Sequence, residues 1–315
     1  MGAQSHHLLA VYSANPGNPA LCLALSNPAA VAPGSATCGP FGESQTYVTA
    51  GGQTIQGTRG GLGPAFANND YDATIGNANF NAFEASLRHS GKDLDVSVGY
   101  TFSKSIDQAS SLSDPVNPFH FGATRALSSF DLAQNLVVTY EYHLPFQRLI
   151  RSASYLTRNW VISGITRATT GFPVTLKSTG DNSLMGSIPN GVNNYSLDLP
   201  DNTGAPLELN GNPRNGLPYF NLAAFTENAL GTPGNASRRS FFGPGAVNFD
   251  LALLRTFEAG ESKALELRVE TFNTFNHAQF FGPAAVNGNI DSALFGYVVQ
   301  AAPPRLMQVA LKFRF

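Results

Sequence analysis

Met307-Gln308-Val309-Ala310-Leu311-Lys312-Phe313-Arg314-Phe315 is the stretch whose reading decides the fold. Met307, Val309, Leu311, Phe313 and Phe315 occupy every second position, against Gln308, Ala310, Lys312 and Arg314. A period of two marks an extended strand with one apolar and one polar face. The same alternation recurs upstream. Leu265, Leu267 and Val269 alternate with Glu266, Arg268 and Glu270. In 94–102 every even residue is apolar and every odd one small or polar except Leu94's neighbour Asp95, which is charged. In 135–144, Leu136, Val138, Tyr140, Tyr142 and Leu144 oppose Asn135, Thr139, Glu141 and His143, with Val137 the exception. Weaker versions lie at 80–89 and 247–257, segment 159–170 is strand-like but ambiguous in phase, and 2–12 supplies an eighth candidate.

Composition narrows the classes that such strands can belong to. The chain has 315 residues, 13% of them charged, about half the average for a soluble domain. Apolar residues are only 43%, and small or uncharged polar residues fill the difference, including 31 Gly and 20 Pro. Such punctuation excludes a helical bundle, and no apolar run approaches the length of a membrane helix. A net charge of −2 leaves no basic footprint for nucleic acid. With 23 Phe and 10 Tyr the chain is too aromatic for a disordered one.

The connections then select an architecture. In order they run roughly 65, 3, 28, 14, 75, 5 and 28 residues, so long and short alternate strictly. Outer-membrane barrels have that rhythm, with short periplasmic turns and long extracellular loops. The expected fold is therefore all-β, an antiparallel transmembrane β-barrel fragment of about 7–8 strands. Segments 13–78, 104–131, 171–246 and 277–304 are its expected extracellular loops. A lipid-exposed sheet must pair all its backbone groups internally. Its outward face would be Leu, Val, Phe and Tyr, and Glu141, Glu266, Arg268, Glu270 and Lys312 would face an enclosed interior. Tyr140, Tyr142, Phe257 and Phe313 sit near strand ends, as an interfacial girdle would. Alternation by itself also fits a soluble secreted β-sandwich binding module, whose apolar faces meet each other.

Phe313 and the terminal Phe315 resemble the C-terminal signal read by the outer-membrane assembly machinery. Longer stretches resemble one family: Tyr100-Thr101-Phe102-Ser103-Lys104-Ser105-Ile106-Asp107, Arg125-Ala126-Leu127-Ser128-Ser129-Phe130-Asp131, Trp160-Val161-Ile162-Ser163-Gly164-Ile165 and Gly171-Phe172-Pro173-Val174-Thr175. Tyr219-Phe220-Asn221, Arg238-Arg239, Phe242-Gly243-Pro244-Gly245 and Glu270-Thr271-Phe272-Asn273-Thr274-Phe275-Asn276-His277 extend the match. Together they resemble the C-terminal barrel portion of TonB-dependent receptors with a carboxypeptidase-regulatory-like N-terminal domain, of the kind found in Acidobacteria-type bacteria. The resemblance implies energised uptake of a scarce solute across the outer membrane. It implies outer-membrane lipid, the assembly machinery and an inner-membrane energy-coupling complex as partners, the last acting through a plug. Signal peptide, regulatory-like domain and plug are not recognisable in these residues, and Met1-Gly2-Ala3-Gln4 reads as a strand entered abruptly. The expectation is therefore a barrel fragment.

Side-chain chemistry adds little beyond this. Cys22 and Cys38 stand in a Pro/Gly-rich loop, either as two unrelated thiols or as a disulfide worth roughly 3 kcal/mol in an oxidising compartment. Loop 171–246 carries Tyr195, Tyr219 and Phe220 among Asn, Asp and Gly, groups that could meet a small molecule, an oligosaccharide or a peptide. No Gly-x-Ser-x-Gly elbow, His-Glu-x-x-His or phosphate-loop spacing is present, so neither an enzyme nor a cofactor is expected. His6 and His7 are adjacent on a strand and point apart, and the six His and two Cys lack zinc spacing. Asp107, Asp114 and Asp131 could touch calcium but have no EF-type spacing. A passive outer-membrane pore or an adhesin is the alternative role for a barrel of this kind.

Overall fold

The computed structural model describes residues 1–146, 154–186, 197–259 and 263–315. Eight strands form one antiparallel sheet in chain order: β1 (Gly2–Ser13), β2 (Asp70–Ser90), β3 (Leu94–Asp107), β4 (Gln134–His143), β5 (Trp160–Thr169), β6 (Ala246–Ala259), β7 (Lys263–Phe272) and β8 (Leu306–Arg314). A short strand at Ala126–Leu127 adds to the end of β3. The only other sheets among the described residues are two-stranded ribbons, so nothing faces the main sheet as the second layer of a sandwich would. The all-β barrel architecture is the one observed, and the sandwich alternative falls.

Register puts the alternation to use. Leu94, Tyr142, Ile162, Leu253, Val269 and Val309 are successive cross-strand partners from β3 to β8, one unbroken apolar row. The row beside it, on the opposite face, is Asp95, Glu141, Ser163, Ala252, Glu270 and Gln308. Within β5 the phase becomes definite, with Trp160, Ile162 and Gly164 on the apolar face. Gly164 has a steric reason to be glycine: a Cβ there would stand 2.7 Å from the Tyr140 ring and 2.8 Å from Leu251. Val309, Leu311 and Phe313 are 70%, 66% and 56% exposed, as an apolar face with no protein neighbour must be.

Antiparallel order puts the ends of the strands that lead into the long connections, after β1, β3, β5 and β7, at one end of the sheet, and those that lead into the short ones, after β2, β4 and β6, at the other. The first two long loops are shorter than expected from sequence. β2 runs 21 residues and begins at Asp70, because Asp70 to Asn79 pair with β1 through the backbone; Tyr71, Ala73 and Ile75 alternate there with Asp70, Asp72 and Thr74. At about 3.3 Å per residue, β2 far exceeds the 9–11 residues that a barrel strand needs to cross a bilayer, so it projects well beyond one. β1 follows it across register shifts between Ser5 and Ala10. His7 has φ of 59° at this irregularity, and the His6 ring is hydrogen-bonded to Asn77 Oδ1 at 2.7 Å. β1 pairs only with β2 and β8 only with β7, so the sheet has two open edges.

The loops are folded rather than loose. Val174, Leu176, Tyr219, Phe220, Phe225, Phe241, Val286 and Phe295 make one apolar core from segments 170–245 and 273–305. Cys22, Leu25, Val31, Cys38, Tyr47 and Leu184 make a second, around helix α1 (Pro19–Ser26). A third joins Val11 at the end of β1 to Met185 and Leu197. The result is a cap packed on one end of the sheet.

Candidate functional site

The cap is fastened to the wall by charges, which are scarce in this chain. Ser103, Ser105 and Asp107 lie on the polar face of β3 and are buried where the cap covers it. Ser103 Oγ donates to Leu132 O at 3.0 Å, and Ser105 N donates to Asp131 Oδ1 at 2.9 Å. Ser105 Oγ lies 2.8 Å from Ser128 Oγ. Arg238 Nη2 donates to Asp107 Oδ1 at 3.0 Å and its Nη1 to Gln108 O at 2.9 Å. Arg239 grips Asp114 with both terminal nitrogens, at 2.8 and 3.0 Å, and its Nε donates to Thr175 Oγ1 at 2.7 Å. Such a two-point fork is the strongest geometry a guanidinium makes with a carboxylate. Both arginines are buried, and carboxylates offset the cost of taking their charges out of water. Burial alone would raise the Asp114 carboxyl, but the hydrogen bond from Arg239 and the charges of both arginines outweigh it and hold it below its ordinary value. Three of the stretches quoted from the sequence, 100–107, 125–131 and 238–239, therefore meet at one polar node.

This node borders a cavity of about 520 Å³. All three loops after β3, β5 and β7 line it, through Asp114 and Pro115, through Leu176, Lys177 and Leu199, and through Val286, Asn287 and Val299. Its volume lies within the range of small-molecule sites, roughly 300–1,000 Å³. Backbone bonds hold the Lys177 strand against segment 288–290, with Lys177 N donating to Gly288 O and Ile290 N to Lys177 O, both at 3.0 Å. Asp291 closes that corner by accepting from Ser178 Oγ at 2.9 Å and from the Thr179 and Gly180 amides. Burial opposes its charge, but these bonds prevail and keep its pKa below the ordinary value.

A second polar node lies deeper in the cap. Glu43 and Asp181 are buried together beside Arg59, whose Nη2 is 3.7 Å from Glu43 Oε2. Asp181 also accepts from the amides of Phe41 and Gly186, both at 2.9 Å. Burial, then the adjoining Asp181 carboxyl, push the Glu43 carboxyl up to about 8, against a smaller opposing pull from Arg59.

The residues singled out from sequence are distributed as follows. Cys22 and Cys38 are joined as a disulfide with Cα atoms 5.2 Å apart. Tyr219 and Phe220 are 8% and 2% exposed in the first cap core, and the Tyr219 hydroxyl donates to Phe242 O at 3.2 Å. Phe220 is spent on packing, whereas Tyr219 also borders a hollow beside the ends of β4, β5 and β6. Tyr195 lies outside the described residues. Phe313 is paired with Leu265 on the apolar face, and its ring stacks on that of Phe315, 5.9 Å away. Asp107 and Asp114 are neutralised by arginine, and Asp131 caps the Ser105 amide; among the described residues no three metal-ligating side chains cluster. Arg238, Arg239, Lys177, Glu43 and Asp181 were not singled out for chemistry. The legible signal was the doubled arginine at 238–239, two adjacent cations in a chain with few charges.

Comparison with known proteins adds one match: residues 1–308 fit the family model described as an outer membrane beta barrel domain. No curated protein and no solved structure matches the chain.

Proposed function

Because the chain belongs to the outer membrane beta barrel domain family, and its place is accordingly the outer membrane, we propose that it forms wall and cap of a TonB-dependent transporter that takes up a scarce solute. One observation carries this reading: a transmembrane sheet open at both edges, with a packed, charge-fastened cap over one end. A cap of that construction suits capture at the cell surface better than free diffusion, since it obstructs the route that a passive pore keeps clear. The resemblance of the 100–107, 238–239 and 270–277 stretches to TonB-dependent receptors supplies the mode of energising. In this proposal the lipid contacts are made by the apolar row, and Phe313 and Phe315 address the assembly machinery. The inner-membrane coupling complex acts through a plug contributed by residues other than these 315. No catalytic step is included.

Uptake by living cells tests this. Labelled peptides, oligosaccharides and apolar acids are offered to wild-type and gene-deleted cells, with and without a protonophore. Gene-dependent uptake that collapses with the proton gradient is expected. Gene-dependent flux indifferent to the protonophore would establish a passive pore instead, and surface attachment without flux an adhesin.

A further inference from the structure

We infer that the cap cavity binds a small amphipathic monoanion, an apolar body carrying one carboxylate, with Lys177 as its charge partner. The inference rests on the uptake reading for its physiological meaning but on the cavity alone for its chemistry. Aliphatic groups dominate the walls: Pro115, Leu176, Leu197, Leu199, Val286 and Val299. Among the described residues no aromatic ring lines it, so they offer no flat stacking surface of the kind that sugar rings favour.

The pairing of the charges points to an anion. Arg238 is matched by Asp107, and Arg239 by Asp114, which also stands 3.6 Å from Arg238. Two cations and two anions thus cancel within the fastening node. Asp291 matches Lys177 in net charge, but its carboxylate accepts from Ser178, Thr179 and Gly180 rather than from an ammonium. Lys177 remains, half-buried at the cavity, with neither hydrogen bond nor ion pair to its ammonium among the described residues. Its backbone is fixed by the bonds to Gly288 and Ile290. An ammonium beside an aliphatic wall attracts a carboxylate more strongly than one in open water, because the local dielectric is lower. The Asn287 side chain is occupied by its own turn, accepting from the Asn289 amide and donating to Ser292, so it does not compete for the anion.

Two sources share this chemistry, a free fatty acid and the C-terminus of an apolar peptide. Equilibrium binding to de-energised outer membranes separates them and needs no transport. The probes are labelled decanoate, N-acetyl-leucyl-leucine and, as a neutral control, decanamide. Membranes come from gene-deleted cells and from cells with the wild-type, Lys177→Gln or Lys177→Arg protein, each checked for heat-modifiable gel mobility. At least one carboxylate should bind saturably to wild type, and decanamide about tenfold more weakly or worse. Lys177→Gln should lose about tenfold in carboxylate affinity while its decanamide binding holds, and Lys177→Arg should keep most of the affinity. Binding of decanoate alone identifies the fatty acid as source, and binding of the dipeptide alone the peptide terminus. No carboxylate binding above the gene-deleted background, equal binding of decanamide, or a Lys177→Gln protein with unchanged affinity would overturn the inference. Protonophore-sensitive uptake without this binding would leave the transporter reading standing alone, and binding without such uptake would leave the cavity standing alone.

Discussion

Glu43 shows how a single carboxyl can time the loosening of the cap. Its pKa is pushed up to about 8 by burial and by the neighbouring Asp181, so the folded cap holds a proton that the unfolded chain releases near 4.5. The stabilising contribution is therefore full below about 4.5 and is lost as pH rises through about 8. Protease resistance of segment 14–69 should fall from about pH 4.5 to about pH 8 and level off above it, and Glu43→Gln should flatten that profile. A flat profile in the wild-type protein would show that Glu43 and Asp181 share no proton. Arg239 carries a different expectation. Arg239→Ala leaves buried Asp114 with only the Ser110 amide and the longer Arg238 contact, a loss of about 3–5 kcal/mol. Thermal melting in detergent should show it, and a double variant that also carries Asp114→Ala should lose less than the sum of the two single changes.

At the scale of one element, β8 separates the two faces most clearly. Val309 lies on the apolar row and Ala310 beside it on the polar face, opposite Arg268. Val309→Arg puts a charge toward lipid, at a cost of about 2–4 kcal/mol near the bilayer midplane. Ala310→Arg puts the same charge toward the polar interior. The amount of heat-modifiable protein in the outer membrane should drop sharply for the first and little for the second. Equal losses would mean that the two faces have been assigned wrongly. The end of β7 makes a related point about motifs. Asn273 and Asn276 adopt φ of 53° and 52°, a region in which asparagine is among the tolerated residues. The Asn273 amide donates to Asp250 Oδ1 at 2.8 Å, its side chain accepts from His277 N at 3.0 Å, and Asn276 Oδ1 accepts from Arg305 N at 3.0 Å. The Asn-rich motif at 270–277 thus organises the exit of the strand, and its residues are spent on the backbone.

For the whole molecule, the unpaired edges of β1 and β8 matter most. Unpaired backbone groups in hydrocarbon cost several kcal/mol each, so a stable barrel requires these edges to be paired. The 315-residue chain refolded alone with lipid vesicles is expected to give little heat-modifiable product, and strands that can pair with β1 and β8 should restore it. A well-formed product from the chain alone would mean that β1 and β8 close on each other. Much of this design was legible in the order of residues. The period of two set which side chains share a face, since successive strand residues point to opposite sides, and the loop rhythm set which connections share an end. The upper half of β2 was missed although Tyr71, Ala73 and Ile75 alternate with Asp70, Asp72 and Thr74, because that run is short and gives way to Asn77 and Asn79 before the stronger stripe begins. The cap was not legible, for Arg238 meets Asp107 across 131 positions and Phe41 meets Asp181 across 140. Local periodicity contains no information about such contacts. The amino-acid order by itself therefore determined the strands, their two faces and the side on which the long segments emerge, all consequences of near-neighbour geometry. Only the tertiary structure decided that those segments pack, that Tyr219 and Phe220 are buried within them, and that the Lys177 ammonium meets no hydrogen-bond or ion-pair partner among the described residues, because each depends on which distant groups exclude water from one another.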